Sequence, residues 1–191
     1  MIEPREILYG IYGAYRLCRF DSQGLAYFNA THAGFWRSFF AAVLVAPAYL
    51  LIVFLDLDLS TVAASATRIF LLESAAYVVL VFTYPFVMYY ICEAIDRQQQ
   101  YFLYIVAYNW ASVVIAAFQL PVDAISAGEL LPKAVSNPLE LAVRVVILVM
   151  LWFIARTTLG ITRLAAAGLV TLDFVLSAIV SYIVDTRLGI A

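Results

Sequence analysis

Asp173 stands near the middle of LAAAGLVTLDFVLSAIVSYIV, residues 164–184, a stretch otherwise made of apolar and small residues. On insertion scales a carboxylate at the centre of a membrane helix costs about 2.5–3.5 kcal/mol, so such a group faces a bundle interior or a watery space. Ser177 and Ser181 follow it at intervals of four and share its helix face. A second polar stripe, Asn109, Ser112, Ala116 and Gln119, runs at spacings of three, four and three. Helix rise brings Asn109 and Asp173 to nearly the same depth, which makes Asn109 the expected partner of Asp173. Two chemistries follow. Asp173 is either a hydrogen-bonded staple between helices or a group that exchanges a proton or holds a cation. With one midplane acid and no relay of further acids, the staple is the expectation, and the intramembrane network is Asp173, Asn109, Ser112, Gln119 and Ser177.

A second pair has similar logic. Glu73 and Arg144 each lie a turn or more inside an apolar segment and fall at similar depth near the opposite surface. They are expected to bridge; separate snorkelling to that surface is the alternative.

Other chemistries find no residues to carry them. His32 is the only histidine, which rules out a histidine-based metal site within one chain. His32 and Ser38 have no acid nearby to complete a triad, and neither a glycine-rich phosphate loop nor Gly-x-Ser-x-Gly occurs. "DLD" at 56–58 pairs two acids without further ligands and reads as a solvated loop. No enzyme activity, cofactor or metal is expected. The net charge of −2 offers no basic patch for nucleic acid.

The elements that must position these groups are set by composition. Of 191 residues, 65% are hydrophobic and 13% charged, and the mean hydropathy is +0.96. Soluble domains carry about 25% charged residues, so lipid is the solvent this chain fits. A bilayer-spanning helix needs about 20 mostly apolar residues. Five segments qualify: Phe39–Leu55, Ile69–Cys92, Tyr101–Leu120, Leu139–Ile154 and Leu164–Val184. Lipid offers no partner for an unpaired backbone amide, so all five are helical. The expected fold is an all-α, polytopic bundle over residues 37–187, preceded by an N-terminal segment over residues 1–36. The connectors are short, with Pro121–Pro138 the longest. Pro47 and Pro85 lie inside spans and are expected to kink them or be accommodated by neighbours.

In the N-terminal segment Ile7, Leu8, Ile11, Tyr15 and Cys18 form one helical stripe, with Arg5, Arg16 and Arg19 elsewhere around the helix. Such a helix either lies flat in an anionic leaflet's headgroups or packs on the bundle's own inner face. Asp21–Gly24 reads as a turn, and Tyr27, Phe28, Phe35 and Trp36 read as an interfacial aromatic belt. The segment lacks a signal peptide's uninterrupted apolar core and is expected to stay on the mature protein.

With the N-terminus inside, the inner side holds Arg5, Arg16, Arg19, Arg37, Arg97, Arg156 and Arg163. The outer side holds Arg68, Lys133 and Arg187, with Arg144 just within it. Seven against four predicts N-inside and C-outside, with Asp56, Asp58, Asp123, Glu129 and Asp185 outside. Both cysteines, Cys18 and Cys92, then lie on the reducing side as free thiols. The expected location is a bacterial cytoplasmic (inner) membrane.

A cytoplasmic N-terminal region, five closely spaced spans, short loops and almost no tail resemble the Yip1-like family of small integral membrane proteins. The likeness is one of topology over residues 37–187. Leu8-Tyr9-Gly10 matches the middle of the Asp-Leu-Tyr-Gly-Pro motif of its eukaryotic members, without the flanking residues. The resemblance implies a non-enzymatic role in membrane organisation or trafficking. The expected function is thus a scaffold, trafficking or accessory subunit acting through helix contacts in the bilayer. Its partners would be membrane lipids and either another membrane protein or further copies of itself. A small transporter or channel built on Asp173, Asn109 and Gln119 is the alternative.

Overall fold

The computed structural model describes residues 3–56, 65–128 and 130–188; Asp58 and Glu129, assigned above to outer loops, lie outside them. Among the described residues every regular element is a helix: α1 Pro4–Cys18, a 3-10 helix Ser22–Tyr27, α2 His32–Ser38, α3 Phe40–Asp56, α4 Ala66–Ala94, α5 Gln98–Ala127, α6 Lys133–Leu159 and α7 Arg163–Leu188. Five helical segments are long and apolar enough to cross a membrane, the first being α2 and α3 together. The protein is an integral membrane protein by this measure.

The spans run further than the apolar stretches alone predict. The expected connector Pro121–Pro138 shrinks to a few residues, because α5 continues through Pro121 and α6 begins before Pro138. Each proline forfeits one backbone hydrogen bond. Ending the helix early would leave several amides without partners, a heavier penalty in an apolar medium.

α5 is the central staff. It packs against α1, α2, α3, α4 and α6, while α7 closes the bundle between α4 and α6. Tyr104, Ile105, Val106, Ala107, Trp110 and Ala111 of α5 are at most 2% exposed. A smaller cluster of Ile69, Ala76, Val184 and Leu188 joins α4 to α7 near their other ends. At the turn between α4 and α5, the Arg97 guanidinium donates to the Leu159 carbonyl (2.9 Å). It thereby satisfies a C-terminal carbonyl of α6 with a cation, as the helix dipole favours. Gly160, at φ 62, turns the chain out of α6.

α1 begins with Pro4 in its first turn, where proline costs no hydrogen bond. Its buried face is Gly10, Gly13, Ala14, Leu17 and Cys18, set against α5 and α6, with Ile7 and Ile11 half-buried beside it. Leu8 and Tyr15, two members of the apolar stripe, are exposed. The glycines explain the rotation: a Cβ on Gly10 would sit 2.5 Å from the Trp110 ring. The smallest residues define the face that approaches α5 most closely, and the larger apolar ones flank it. Gly24 meets the Gly13 carbonyl equally closely, locking the 3-10 helix onto α1. That helix is capped by Asp21, whose carboxylate accepts from the Gln23 amide (3.0 Å) and pairs with Arg16. These two donors hold the Asp21 carboxyl below its ordinary range. Glu6 ties the segment down again, accepting from Arg37 (2.9 Å) and Asn29 (3.1 Å). Residues 3–38 are therefore docked onto the bundle. Phe35, expected in an interfacial belt, is buried and packs on Tyr101 and Phe102, while Trp36 is exposed.

Burial pushes the Cys18 thiol up to about 11. Only about a thousandth of it is thiolate at pH 8, so the folded protein alkylates at Cys18 very slowly, and faster as pH climbs toward 11. Gly10→Val is expected to lift α1 off Trp110, costing about 1–3 kcal/mol by overpacking. Peptide-resolved alkylation at pH 8 should then show Cys18 reacting faster than in the parent protein. An unchanged rate would mean that α1 does not depend on this contact.

Candidate functional site

α7 presents Asp173, Leu176 and Ser177 toward α4 and α5, and between these helices and α3 lies a cavity of about 150 Å³. α5 contributes Tyr108, Asn109 and Ser112 to its wall. α4 contributes Tyr77, Thr83 and Tyr84, and α3 contributes Ala42 and Val45. A water needs only about 10–15 Å³ by this measure, so several fit. Organic ligands occupy pockets of about 300–1,000 Å³, larger than this space.

Four of the five residues expected in the polar network, Asp173, Asn109, Ser112 and Ser177, line this one space. Their partners differ from expectation. The Tyr108 hydroxyl donates to both carboxylate oxygens of Asp173, at 2.9 and 3.1 Å. The Asn109 amide nitrogen turns instead toward α2 and donates to the Ser38 hydroxyl at 2.9 Å, both residues being buried. The Ser38 hydroxyl in turn donates to the Phe35 carbonyl (2.7 Å), and the Ser112 hydroxyl donates to the Asn109 carbonyl (2.7 Å). Equal depth put Asn109 and Asp173 beside one cavity. The rotation of α5 assigns one side chain to α2 and its neighbour in sequence to α7.

Gln119 lies elsewhere. It borders a second, mostly apolar cavity of about 350 Å³ between α3, α5 and α6, with Tyr49, Ile147 and Leu151. Tyr108 and Ser112 contribute to both cavities. Ser181 is exposed.

The expected bridge between Glu73 and Arg144 does not form. Buried Glu73 accepts from the Tyr49 hydroxyl of α3 at 2.9 Å. Arg144 is exposed and pairs along its own helix with Glu140 at 3.7 Å, while Glu140 also meets Ser126. The packing order explains this: α4 neighbours α3, α5 and α7, whereas α6 neighbours α5, α7 and α1.

Tyrosines are the residues that stripe reasoning missed. Besides Tyr108 and Tyr49, the Tyr84 and Tyr104 hydroxyls bond each other, and the Tyr84 ring lies 4.7 Å from that of Tyr108. Tyr77 donates to the Ala42 carbonyl (2.6 Å) and Tyr101 to the Pro85 carbonyl (3.0 Å). The signal was present: Tyr101, Tyr104 and Tyr108 recur at three and four, and Tyr77 and Tyr84 at seven.

No family model matches this chain, and no curated protein or solved structure matches it either. The site is therefore read from its own chemistry. A carboxylate, a phenol and several hydroxyls around a small space can hold water or one small cation. Among the described residues, no group of three or more His, Cys, Asp or Glu is placed to hold a metal ion. His32 accepts from the Trp36 indole (3.2 Å) and packs against Phe102, away from any nucleophile–base pair.

Asn109→Ala strands the buried Ser38 hydroxyl's partner site and should lower stability by about 1–3 kcal/mol. A double-mutant cycle with Ser38→Ala, read by denaturation in detergent, should give a coupling of about 0.6–1.7 kcal/mol. Strict additivity would show that the pair does not hold α2 to α5.

Proposed function

We propose that the protein is a non-enzymatic scaffold or accessory subunit of a bacterial cytoplasmic membrane, working through the lateral faces of its spans. The observation that carries this reading is the closure of its interior. Beneath the Asp173 cavity, α5 is enclosed by its neighbours, α1, α2 and α4 among them, with Tyr104, Ile105, Val106 and Ala107 at most 2% exposed. Asp173, Glu73 and Asn109 of the spans are each turned inward and hydrogen-bonded to a neighbouring helix, which supports Asp173 as a tie between α7 and α5. The outward faces instead carry large apolar residues, among them Leu51, Leu71, Phe86, Leu141, Phe174 and Tyr182. Neighbouring helices or lipid tails can cover these. The Yip1-like layout of five close spans behind an N-terminal segment agrees with a role in membrane organisation.

The cavity itself favours a second reading. Its carboxylate and hydroxyl lining suits exchange of a proton or a small monovalent cation, as a small transporter would need. Asp173→Asn separates the two. As a scaffold, the variant keeps its fold and its copurifying partners, and liposomes carrying either form show the same ion leak. Flux present in the parent and lost in Asp173→Asn would overturn the scaffold reading in favour of transport.

The arginine and lysine distribution supports an inside N-terminus. The native thiols are poor reporters of this, since Cys18 and Cys92 are both buried. Exposed Gln99 and Lys133, at opposite ends of the bundle, are better positions for introduced cysteines. In intact cells an impermeant maleimide should label Lys133→Cys and spare Gln99→Cys. The reverse pattern would invert the topology.

A further inference from the structure

The outer flanks of α1 are unlike each other. One is covered by the chain itself: Tyr27 of the 3-10 helix packs against Tyr9, at 6.0 Å between ring centroids, and edge-on against Tyr12, at 4.8 Å, so that Tyr12 stands between the two flanks. The other is open. There Leu8, Ile11, Tyr12 and Tyr15 face Val113, Val114, Ala117 and Phe118 of α5 across a groove of about 480 Å³ whose walls are almost wholly apolar. These α5 residues belong to a span with no charged side chain between Arg97 and Asp123, so the groove opens where lipid surrounds the helix.

The rim adds charge. At the C-terminal mouth, Arg19 donates to the hydroxyl of Tyr15 (3.3 Å), and its guanidinium lies 5.6 Å from that ring's centre. Tyr15 is itself a wall of the groove. Arg19 is exposed, and among the described residues no carboxylate lies within ion-pair distance of it; Arg16, one turn back, is taken by Asp21. A guanidinium held in place by a phenol, with donors to spare, is a ready receptor for phosphate oxygens. An apolar groove leading away from such a donor has the polarity of a phospholipid.

We propose that the groove between α1 and α5 holds one acyl chain of an anionic phospholipid whose phosphate is bound at Arg19. The site rests on the protein's residence in a bilayer and is independent of what Asp173 does. α1 then joins both dispositions open to it: its glycine face docks on the bundle while its apolar flank grips a lipid of the adjacent leaflet.

The test is native mass spectrometry of the full chain released from nanodiscs of equal phosphatidylglycerol and phosphatidylcholine. The parent should retain one lipid, enriched about fivefold for phosphatidylglycerol, as about 1 kcal/mol from a single cation gives. Arg19→Gln should bring the two lipids to parity while lipid is still retained. Ala117→Phe, a change at an exposed position that fills the groove, should remove the retained lipid. Equal retention of the two lipids by the parent, or retention undiminished in Ala117→Phe, overturns the proposal. So does a lipid-free dimer that Ala117→Phe dissolves, which would give the groove to a second copy of the chain.

Discussion

Hydrocarbon supplies no hydrogen-bond partner, and this one constraint organises the molecule. Every polar atom on a span must be met by another atom of the chain, or else by trapped water. Several serines and threonines bond back to their own helices, and tyrosines supply much of the matching between helices. A tyrosine packs its ring like any large apolar side chain and delivers a single donor at the far end. Tyr108 reaches Asp173, Tyr49 reaches Glu73, and Tyr77 and Tyr101 reach backbone carbonyls at Ala42 and Pro85. Two acids that would be costly alone are each held by a phenol from a neighbouring helix. The same bonds tie helices together, α7 reaching α5 through Tyr108 and α3 reaching α4 through Tyr49.

The central position of α5 follows from its side chains. Small and medium residues, Ala107 and Ala111 among them, admit close packing on several sides, and Trp110 offers a flat surface on which Gly10 can rest. The N-terminal segment thus becomes a wedge against the bundle. It seals the region below the Asp173 cavity and leaves the spans' outer faces as the surface on which the protein can act. The closed interior and the open flanks are two results of the same inward matching.

The class of fold was legible because membrane spans declare themselves by composition over about twenty residues, whatever their rotation. Helix ends were less legible. Pro121 and Pro138 are stop signals in water, whereas an apolar medium rewards continuing past them. The polar pairs were legible only as depths. Helix rise can say that Asn109 and Asp173 are level, but direction depends on which helix stands beside which, and nothing in one sequence orders the neighbours. Asn109 accordingly went to Ser38, and Glu73 to Tyr49 rather than Arg144. The contact of Glu140 with Arg144 was readable from its spacing of four, because both residues ride on one helix.

Alkaline carbonate extraction of native membranes tests the premise under all of these contacts most directly, because it strips proteins that merely adhere and leaves those threaded through the bilayer. The chain should remain entirely with the sedimented membranes and come into solution only with detergent. Its recovery in the detergent-free supernatant as a folded monomer would contradict the account.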